Sequence, residues 1–231
     1  MRWSTVLMGF AGSVALPITS AQAAFVAPAS WVRGAGGATY QHWDVFDAYP
    51  VDPTPDVGNI NPNGTAVLTE TTGAAFVTSG GNIYSFSTAT QFSVSIPELD
   101  VPAPAHDLTA VVQFKTLGTE IDPASVLLNG IAPVDTAELS RVGLGGFGGS
   151  AVQSWYLFNV PYAAFGSGTA GATSVTLTFA AAGSSMSLDQ VSIDTAIRPF
   201  GYYPEPNPVP EPAMLSLAAL VAPALLRRRR G

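Results

Sequence analysis

Short runs of alternating apolar and polar residues fill the middle of the chain. In residues 83–87, 92–96 and 175–179 the side chains alternate with a period of two, as expected for a strand with one buried face. Clusters of Gly, Asn and Pro separate these runs and are typical of tight turns. The pattern predicts ten strands, at residues 39–46, 66–70, 75–78, 83–87, 92–96, 108–114, 126–128, 152–160, 174–180 and 187–195.

Many closely spaced strands with no amphipathic helix between them predict an all-β protein, an antiparallel β sandwich with the jelly roll as one of its forms. The composition agrees, because 23 Gly and 19 Pro accompany a charged fraction of only 11%. Such a mix favours short strands and turns over long charged helices. Residues 24–199 are enough for one domain of this kind.

The N-terminal 23 residues have the layout of a secretory signal peptide. A basic residue, Arg2, precedes an apolar stretch at residues 6–16, which is followed by Pro17 and by the small residues Ala21 and Ala23. Signal peptidase requires small side chains one and three positions before the cut, which predicts cleavage after Ala23, with cleavage after Ala24 as the alternative. The alternative, a retained N-terminal membrane anchor, requires a longer apolar stretch than this one.

The C-terminal end carries a second targeting pattern. A Pro-rich linker at residues 200–208 leads into a polar motif, an apolar run bounded by Ala213 and Leu226, and a basic cluster. As a helix the run covers about 21 Å, against a hydrocarbon core of about 30 Å, so it is a short membrane segment. Arginines after such a segment stay on the cytoplasmic side and leave the domain on the periplasmic side. The alternative, a C-terminal helix packed on the domain, does not explain the motif Val209, Pro210, Glu211, Pro212 or the cluster Arg227, Arg228, Arg229, Arg230.

Residues 209–231 resemble the PEP-CTERM sorting tail of exported proteins from Gram-negative bacteria that make extracellular polysaccharide. The resemblance lies in the order of the Pro210-Glu211-Pro212 triplet, the apolar span and the terminal arginines. It implies export through the Sec translocon, signal peptidase cleavage, a transient stay in the inner membrane, and removal of the tail by an exosortase. The final location would be the cell surface or the extracellular matrix. Ala213 stands where family members often have Ser or Thr.

The charge of the exported part limits its partners. Between residues 24 and 206 there are fifteen acidic and four basic residues, a balance of −11. A surface this acidic repels phosphate backbones, so nucleic acid is not expected to bind, whereas cations and neutral polysaccharides remain candidates. The chain has no cysteine, which excludes disulfides and thiolate metal sites.

Residues 59–70 match the spacing of a calcium-binding loop, with oxygen-bearing side chains at its first, third, fifth and twelfth positions and Gly64 at the sixth. Pro62 inside the loop and the lack of flanking helices favour a plain Asn-Gly turn instead. Asp52 and Asp56 are near enough in sequence to supply a calcium site of another geometry. The chain is therefore expected to need no cofactor, with calcium as the one candidate, held by Asn59, Asn61, Asn63 and Glu70.

Other candidate sites are weaker. Gly143, Gly145 and Gly148 match a dinucleotide fingerprint, but without a βαβ context they are expected to form a loop. The two histidines, His42 and His106, are expected to be structural or exposed rather than a metal pair. An aromatic platform for sugars has five candidates, for which core packing is the favoured alternative: Tyr40, His42, Trp43, Trp155 and Tyr156.

The middle of the chain contains no catalytic motif that we recognise, so we expect a non-catalytic structural or glycan-associated protein of the cell surface or matrix. Residues 122–193 are similar in pattern to galactose-binding-like and other carbohydrate-binding jelly rolls, which implies sugar as a ligand class. Two alternatives remain: a secreted glycoside hydrolase, which requires two close carboxylates, and a module that binds one defined glycan.

Overall fold

The computed structural model describes residues 25–99, 106–165, 172–199, 205, 206 and 208. The described residues are mostly β, with 53% of them in strands and almost no helix. The only α-helix among these residues is α1, the single turn Tyr162–Phe165. The strands are β1 (Ala38–Trp43), β2 (Val51–Asp52), β3 (Val67–Glu70), β4 (Phe76–Val77), β5 (Ile83–Tyr84), β6 (Gln91–Leu99), β7 (His106–Gly118), β8 (Leu127–Leu128), β9 (Asp135–Gly143), β10 (Ser150–Pro161), β11 (Ala172–Ala180) and β12 (Met186–Pro199).

The strands form two antiparallel sheets. A seven-stranded sheet has the order β4-β5-β12-β7-β10-β9, and β1 also pairs with β12. A five-stranded sheet has the order β2-β3-β6-β11-β8. Every pairing between these strands is antiparallel, so the predicted all-β antiparallel class is confirmed.

One hydrophobic core contains buried side chains of both sheets, the arrangement of a β sandwich. The alternation in β6 turns Val94 and Ile96 inward, and that in β11 turns Val175 and Leu177 inward; all four have no exposed surface. Burying a side chain of this size is worth roughly 1.5–3 kcal/mol relative to leaving it exposed. The periodicity that predicts these strands is therefore also what positions the core.

A second, smaller core lies on the outer face of the seven-stranded sheet. Trp31, from the segment that precedes β1, belongs to it together with Trp155 and Leu157 of β10. The same segment is fixed by polar contacts, because the Val26 N–H donates to Gln113 Oε1 and Gln113 Nε2 donates to the Val26 carbonyl, both at 2.8 Å. The beginning of the domain is thus fastened to its central strand.

All ten predicted strand regions contain strand, and two further strands were not predicted. The first, β2, has only two residues. The second, β9, has nine, and most of its side chains are exposed or half-buried. It is an edge strand, and little of it faces a core. Its charged and polar residues therefore show no clear alternation of apolar and polar positions.

Several predictions fall outside the described residues. These are the signal peptide at 1–23 with its cleavage residues, the sorting motif, the apolar segment with its arginines, and most of the linker. Within the described ranges, no helix is long and apolar enough to cross a membrane.

Candidate functional site

The described part of the chain has a concave site at one end of the sandwich, where the seven-stranded sheet extends past its partner. On the inward side of β9, Thr136, Glu138 and Arg141 are exposed, which shows that the five-stranded sheet does not cover them. Between β9, β10 and the loop that follows β7 lies an open pocket of about 200 Å³. It is lined by Thr116, Glu120, Thr136, Glu138, Ser154 and Tyr156, among others.

A β-bulge puts Glu138 and Arg141 of β9 on the same face of the sheet. Glu138 and Arg141 are three positions apart, so a regular strand would direct them to opposite faces. The register shifts here, because Ser154 is paired with Glu138 while the preceding Gln153 is paired with Ser140. Because β9 has one additional residue at this point, the side chains of Arg141 and Glu138 lie on the same face of the sheet. Bulges near functional sites commonly redirect a side chain in this way.

Arg141 joins two carboxylates at the mouth of the pocket. Its Nη1 and Nη2 donate to the two oxygens of Glu120 at 2.6 and 2.9 Å. Its Nε donates to both oxygens of Glu138 at 3.0 and 3.1 Å, and Nη2 donates to Glu138 Oε2 at 2.7 Å. The planar guanidinium suits this forked arrangement. The three side chains thus form a fixed charged rim.

The rim stabilises the ionised form of Glu120. Hydrogen bonds from Arg141 hold the pKa of Glu120 below its usual value, outweighing the effect of partial burial. The same contacts with Glu120 and Glu138 raise the pKa of Arg141. Deeper in the pocket, burial raises the pKa of Tyr156, so its phenol is neutral at neutral pH. The site therefore offers charged acceptors at its mouth and hydroxyl groups inside.

The proposed aromatic platform is not formed, and the core-packing alternative is correct for most of its members. Trp43 has no exposed surface, and Trp155 and Tyr156 are 2% and 4% exposed. Tyr40 is buried beneath Arg33, whose guanidinium carbon lies 3.5 Å from the ring centroid. Alternation in β1 and β10 places Trp43, Trp155 and Tyr156 against one core or the other, so these rings offer no open face to a sugar.

The two histidines lie far apart. His42 is paired with Ser192 and His106 with Pro199, positions seven residues apart on β12 and hence separated by roughly 23 Å. Burial lowers the pKa of His42 to about 4, and its Nδ1 lies 3.1 Å from the Tyr40 hydroxyl. A two-histidine metal site is therefore excluded by distance.

The calcium candidates make separate contacts within the protein. Asn61 Nδ2 donates to the Pro97 carbonyl, and Asn61 Oδ1 accepts from the Asn63 N–H. Asn59 is exposed, whereas Glu70 is 2% exposed. Both Glu70 oxygens already accept hydrogen bonds, from the backbone and hydroxyl of Thr72, from the Gly73 N–H and from the Tyr49 hydroxyl.

The neighbouring aspartates are similarly occupied. Asp52 accepts from the Asp47 and Thr54 backbone and from the Thr54 hydroxyl, and Asp56 accepts from the Asp44 and Val45 backbone. In the described ranges, no group of three or more His, Asp or Glu side chains is placed to hold a metal ion. The expectation that the chain needs no cofactor, with calcium as the one candidate, stays a prediction to be decided in solution.

The glycine-rich segment, predicted to form a loop, is the connection of the hairpin between β9 and β10. Gly143 ends β9, a 3₁₀ turn spans Gly145–Phe147, and β10 begins at Ser150. Neither a helix nor a parallel strand follows, so the segment lacks the context of a dinucleotide site.

The pocket residues were not identified from the sequence. Glu120 and Arg141 are 21 positions apart, and their contact depends on the bulge and on the unpredicted strand β9. The weak signal available was the opposite charge of Glu138 and Arg141, three positions apart in the sequence. No protein family, no curated protein and no solved structure was found to match this chain.

Proposed function

We propose that this protein is exported across the inner membrane of a Gram-negative bacterium and processed at its tail by an exosortase. It would leave the Sec translocon with its domain on the periplasmic side, lose its signal peptide to signal peptidase, and reach the cell surface or extracellular matrix. The support is the order of signals at the two ends of the sequence. The acidic domain between them suits an environment of neutral polysaccharide rather than nucleic acid.

The jelly roll is the finer arrangement that we propose for the domain. Antiparallel partners are nested along the chain: β7 with β12, β8 with β11, and β9 with β10. These pairs alternate between the two sheets. In a jelly roll, a long antiparallel hairpin is wrapped around a sandwich, so its successive strand pairs are nested in sequence and fall alternately in the two sheets. The pairs seen here follow that order and support this topology.

For the domain itself we propose a non-catalytic, glycan-associated role, carried by the pocket at the end of β9 and β10. At about 200 Å³ it is smaller than the roughly 300–1,000 Å³ pockets that hold drug-sized ligands. A single sugar unit at the end or branch of a polysaccharide is a suitable occupant. Its hydroxyls would donate to Glu120 and Glu138 and bond with the hydroxyls of Thr136 and Ser154.

The charged rim argues for binding rather than hydrolysis. A glycosidase needs one carboxyl group with a raised pKa to protonate the leaving oxygen. Glu120 has a lowered pKa because it is paired with Arg141, and Glu138 binds the same guanidinium. The pairing thus stabilises the charged form of Glu120, the opposite of what a general acid requires.

A secreted glycoside hydrolase remains the second candidate, because two carboxylates do converge on one pocket. The variants E120Q and E138Q separate the two functions. Hydrolysis of the host polysaccharide that either variant abolishes would establish the enzyme. Binding without release of reducing ends would support the non-catalytic role.

Retention of the mature protein on extracellular polysaccharide from its native host tests the binding role. T136W fills the pocket and is expected to lower retention at least tenfold. V142W is the matched control, since Val142 lies on the same strand and is 51% exposed but does not line the pocket. Equal retention of T136W and the unaltered protein would contradict the assignment of the pocket.

A further inference from the structure

Three aromatic rings contact one another at the edge formed by β4 and β5. Phe76 and Tyr84 are paired across the two strands, and Phe86 follows two positions after Tyr84. The Phe76 and Phe86 rings are stacked, with centroids 5.6 Å apart and an interplanar angle of 28°. Tyr84 meets both edge-on, at 5.9 and 4.8 Å. We call Phe76, Tyr84 and Phe86 the aromatic patch.

The aromatic patch faces outward although its sequence predicts the opposite. In a half-buried strand, apolar residues are expected to face the core and polar residues the solvent. Here Ser85 is 1% exposed, whereas Phe86 is 71% exposed and Phe76 is 40% exposed. Folding therefore buries a serine and displays a phenylalanine, which forgoes part of the stability that burying the ring would give.

The backbone beneath the patch is held in place. The Ser85 carbonyl accepts from the Ser185 N–H at 3.0 Å, and the Ser185 hydroxyl donates to the Phe86 carbonyl at 3.2 Å. On the other side, Ser85 Oγ accepts from the Thr88 N–H at 3.3 Å. Phe86 is thus presented on a fixed backbone, so it needs little ordering when a ligand arrives.

The area of the aromatic patch and the charge of the domain limit the kind of ligand that can bind there. With roughly 150–250 Å² per aromatic side chain, the exposed fractions of Phe76 and Phe86, 40% and 71%, come to roughly 170–280 Å² in total. A stable protein interface needs about 800 Å² from each partner, so the patch is too small for one. The balance of −11 over residues 24–206 opposes an anionic membrane surface. A small, neutral ligand with an apolar face fits both limits.

We propose that the aromatic patch is a stacking site for a pyranose ring of a neutral polysaccharide, separate from the pocket. The axial C–H groups of such a ring carry partial positive charge and pack on the negative faces of aromatic rings. This inference rests on the proposed glycan-associated role and adds a second contact to it. Two sites on one domain would hold a polysaccharide more firmly than either alone.

The test is a titration of the mature protein, carrying ¹³C-labelled phenylalanine rings and ¹⁵N-labelled backbone, with cellohexaose and with xylohexaose, observed by NMR. We expect ring signals of Phe76 and Phe86, assigned with F76L and F86L, to shift with at least one hexaose. F86W is expected to keep the affinity because it can stack. F86L keeps an apolar side chain but has no flat ring, so we expect its affinity for the hexaose to fall at least tenfold. V134A is the control, because Val134 is also exposed but lies outside the aromatic patch.

Three outcomes would overturn the stacking site. Shifts confined to Thr136 and Ser154 would place the sugar in the pocket alone and leave the proposed function standing. Ring shifts that depend on protein concentration without sugar would identify self-association instead. Unmoved ring signals with both hexaoses would remove the patch as a sugar site, while the retention experiment on host polysaccharide still decides the pocket.

Discussion

The carboxylate of Glu205 accepts a hydrogen bond of 2.6 Å from the backbone N–H of Ser30, 175 residues earlier in the chain. Its second oxygen accepts from the Ala29 N–H at 2.7 Å. Glu205 is therefore fastened to the segment that begins the described domain, so the first residues of the domain and the chain that follows its last strand meet at one place.

Removing this contact should loosen the N-terminal segment. In E205A the amides of Ala29 and Ser30 lose their acceptor, and we expect them to exchange with deuterium at least several-fold faster. E120A is the matched control, because its carboxylate lies at the pocket and should leave these amides unchanged. Identical exchange in E205A and the unaltered protein would show that the contact is not formed in solution.

Glu98 should make stability depend on pH. Its side chain has no exposed surface, its Oε1 accepts from Thr195 and Thr39, and its Oε2 has no partner. Burial raises its pKa to about 7. The folded state thus binds the proton more tightly than the unfolded chain does. The contribution is full below the unfolded pKa of about 4.5 and is lost as the pH rises through about 7.

Denaturant titrations between pH 4 and 8 measure this effect. Between the unfolded and folded pKa values of Glu98, the free energy of unfolding is expected to fall by up to about 1.4 kcal/mol per pH unit. This fall is measured relative to E98Q, which cannot ionise. The difference between the two proteins isolates Glu98 from other carboxyl groups. Parallel pH profiles would contradict an ionisable Glu98 in the core.

Gly118 should not tolerate a side chain. Its φ is +83°, and an added Cβ would lie 2.7 Å from the Ser185 carbonyl oxygen. G118A is expected to cost about 2 kcal/mol or more, through strain and backbone displacement. Gly143 is the control, since nothing lies within 4 Å of its Cβ position. A melting temperature for G118A equal to that of G143A would contradict this local geometry.

Replacing Arg141 should raise the pKa of Glu120 at the pocket. In R141A the pKa of Glu120 is expected to rise toward its ordinary value, because the hydrogen bonds that lower it are gone. R141K keeps the charge without the forked geometry and should give an intermediate value. Carboxyl ¹³C shifts followed against pH measure both. A Glu120 pKa that is the same in R141A would show that the rim is not held by Arg141.

Chelation tests the calcium prediction. Because both Glu70 oxygens already accept hydrogen bonds within the protein, we expect the melting temperature to be the same with calcium and with excess chelator. A melting temperature that drops on chelation and recovers with added calcium would contradict this and restore Asn59, Asn61, Asn63 and Glu70 as candidates.

The sequence predicts the fold better than the site for a physical reason. Strands such as β6 and β11 bury one face completely, so their apolar positions must recur at every second residue. The exposed edge strand β9 has no such requirement, and the pocket is built on it. The contact between Glu120 and Arg141 depends on a bulge that the local pattern of apolar and polar residues does not predict. Likewise, alternation alone could not indicate that Phe86 faces outward and Ser85 inward.

The intact mass of the protein from its native host, taken separately in membrane and extracellular fractions, tests the account of export and sorting most directly. We predict an extracellular species that begins at Ala24 and ends between Pro210 and Pro212. A protein that still carries Arg227 to Arg230 in every fraction would contradict processing of the tail and would make it a lasting membrane anchor.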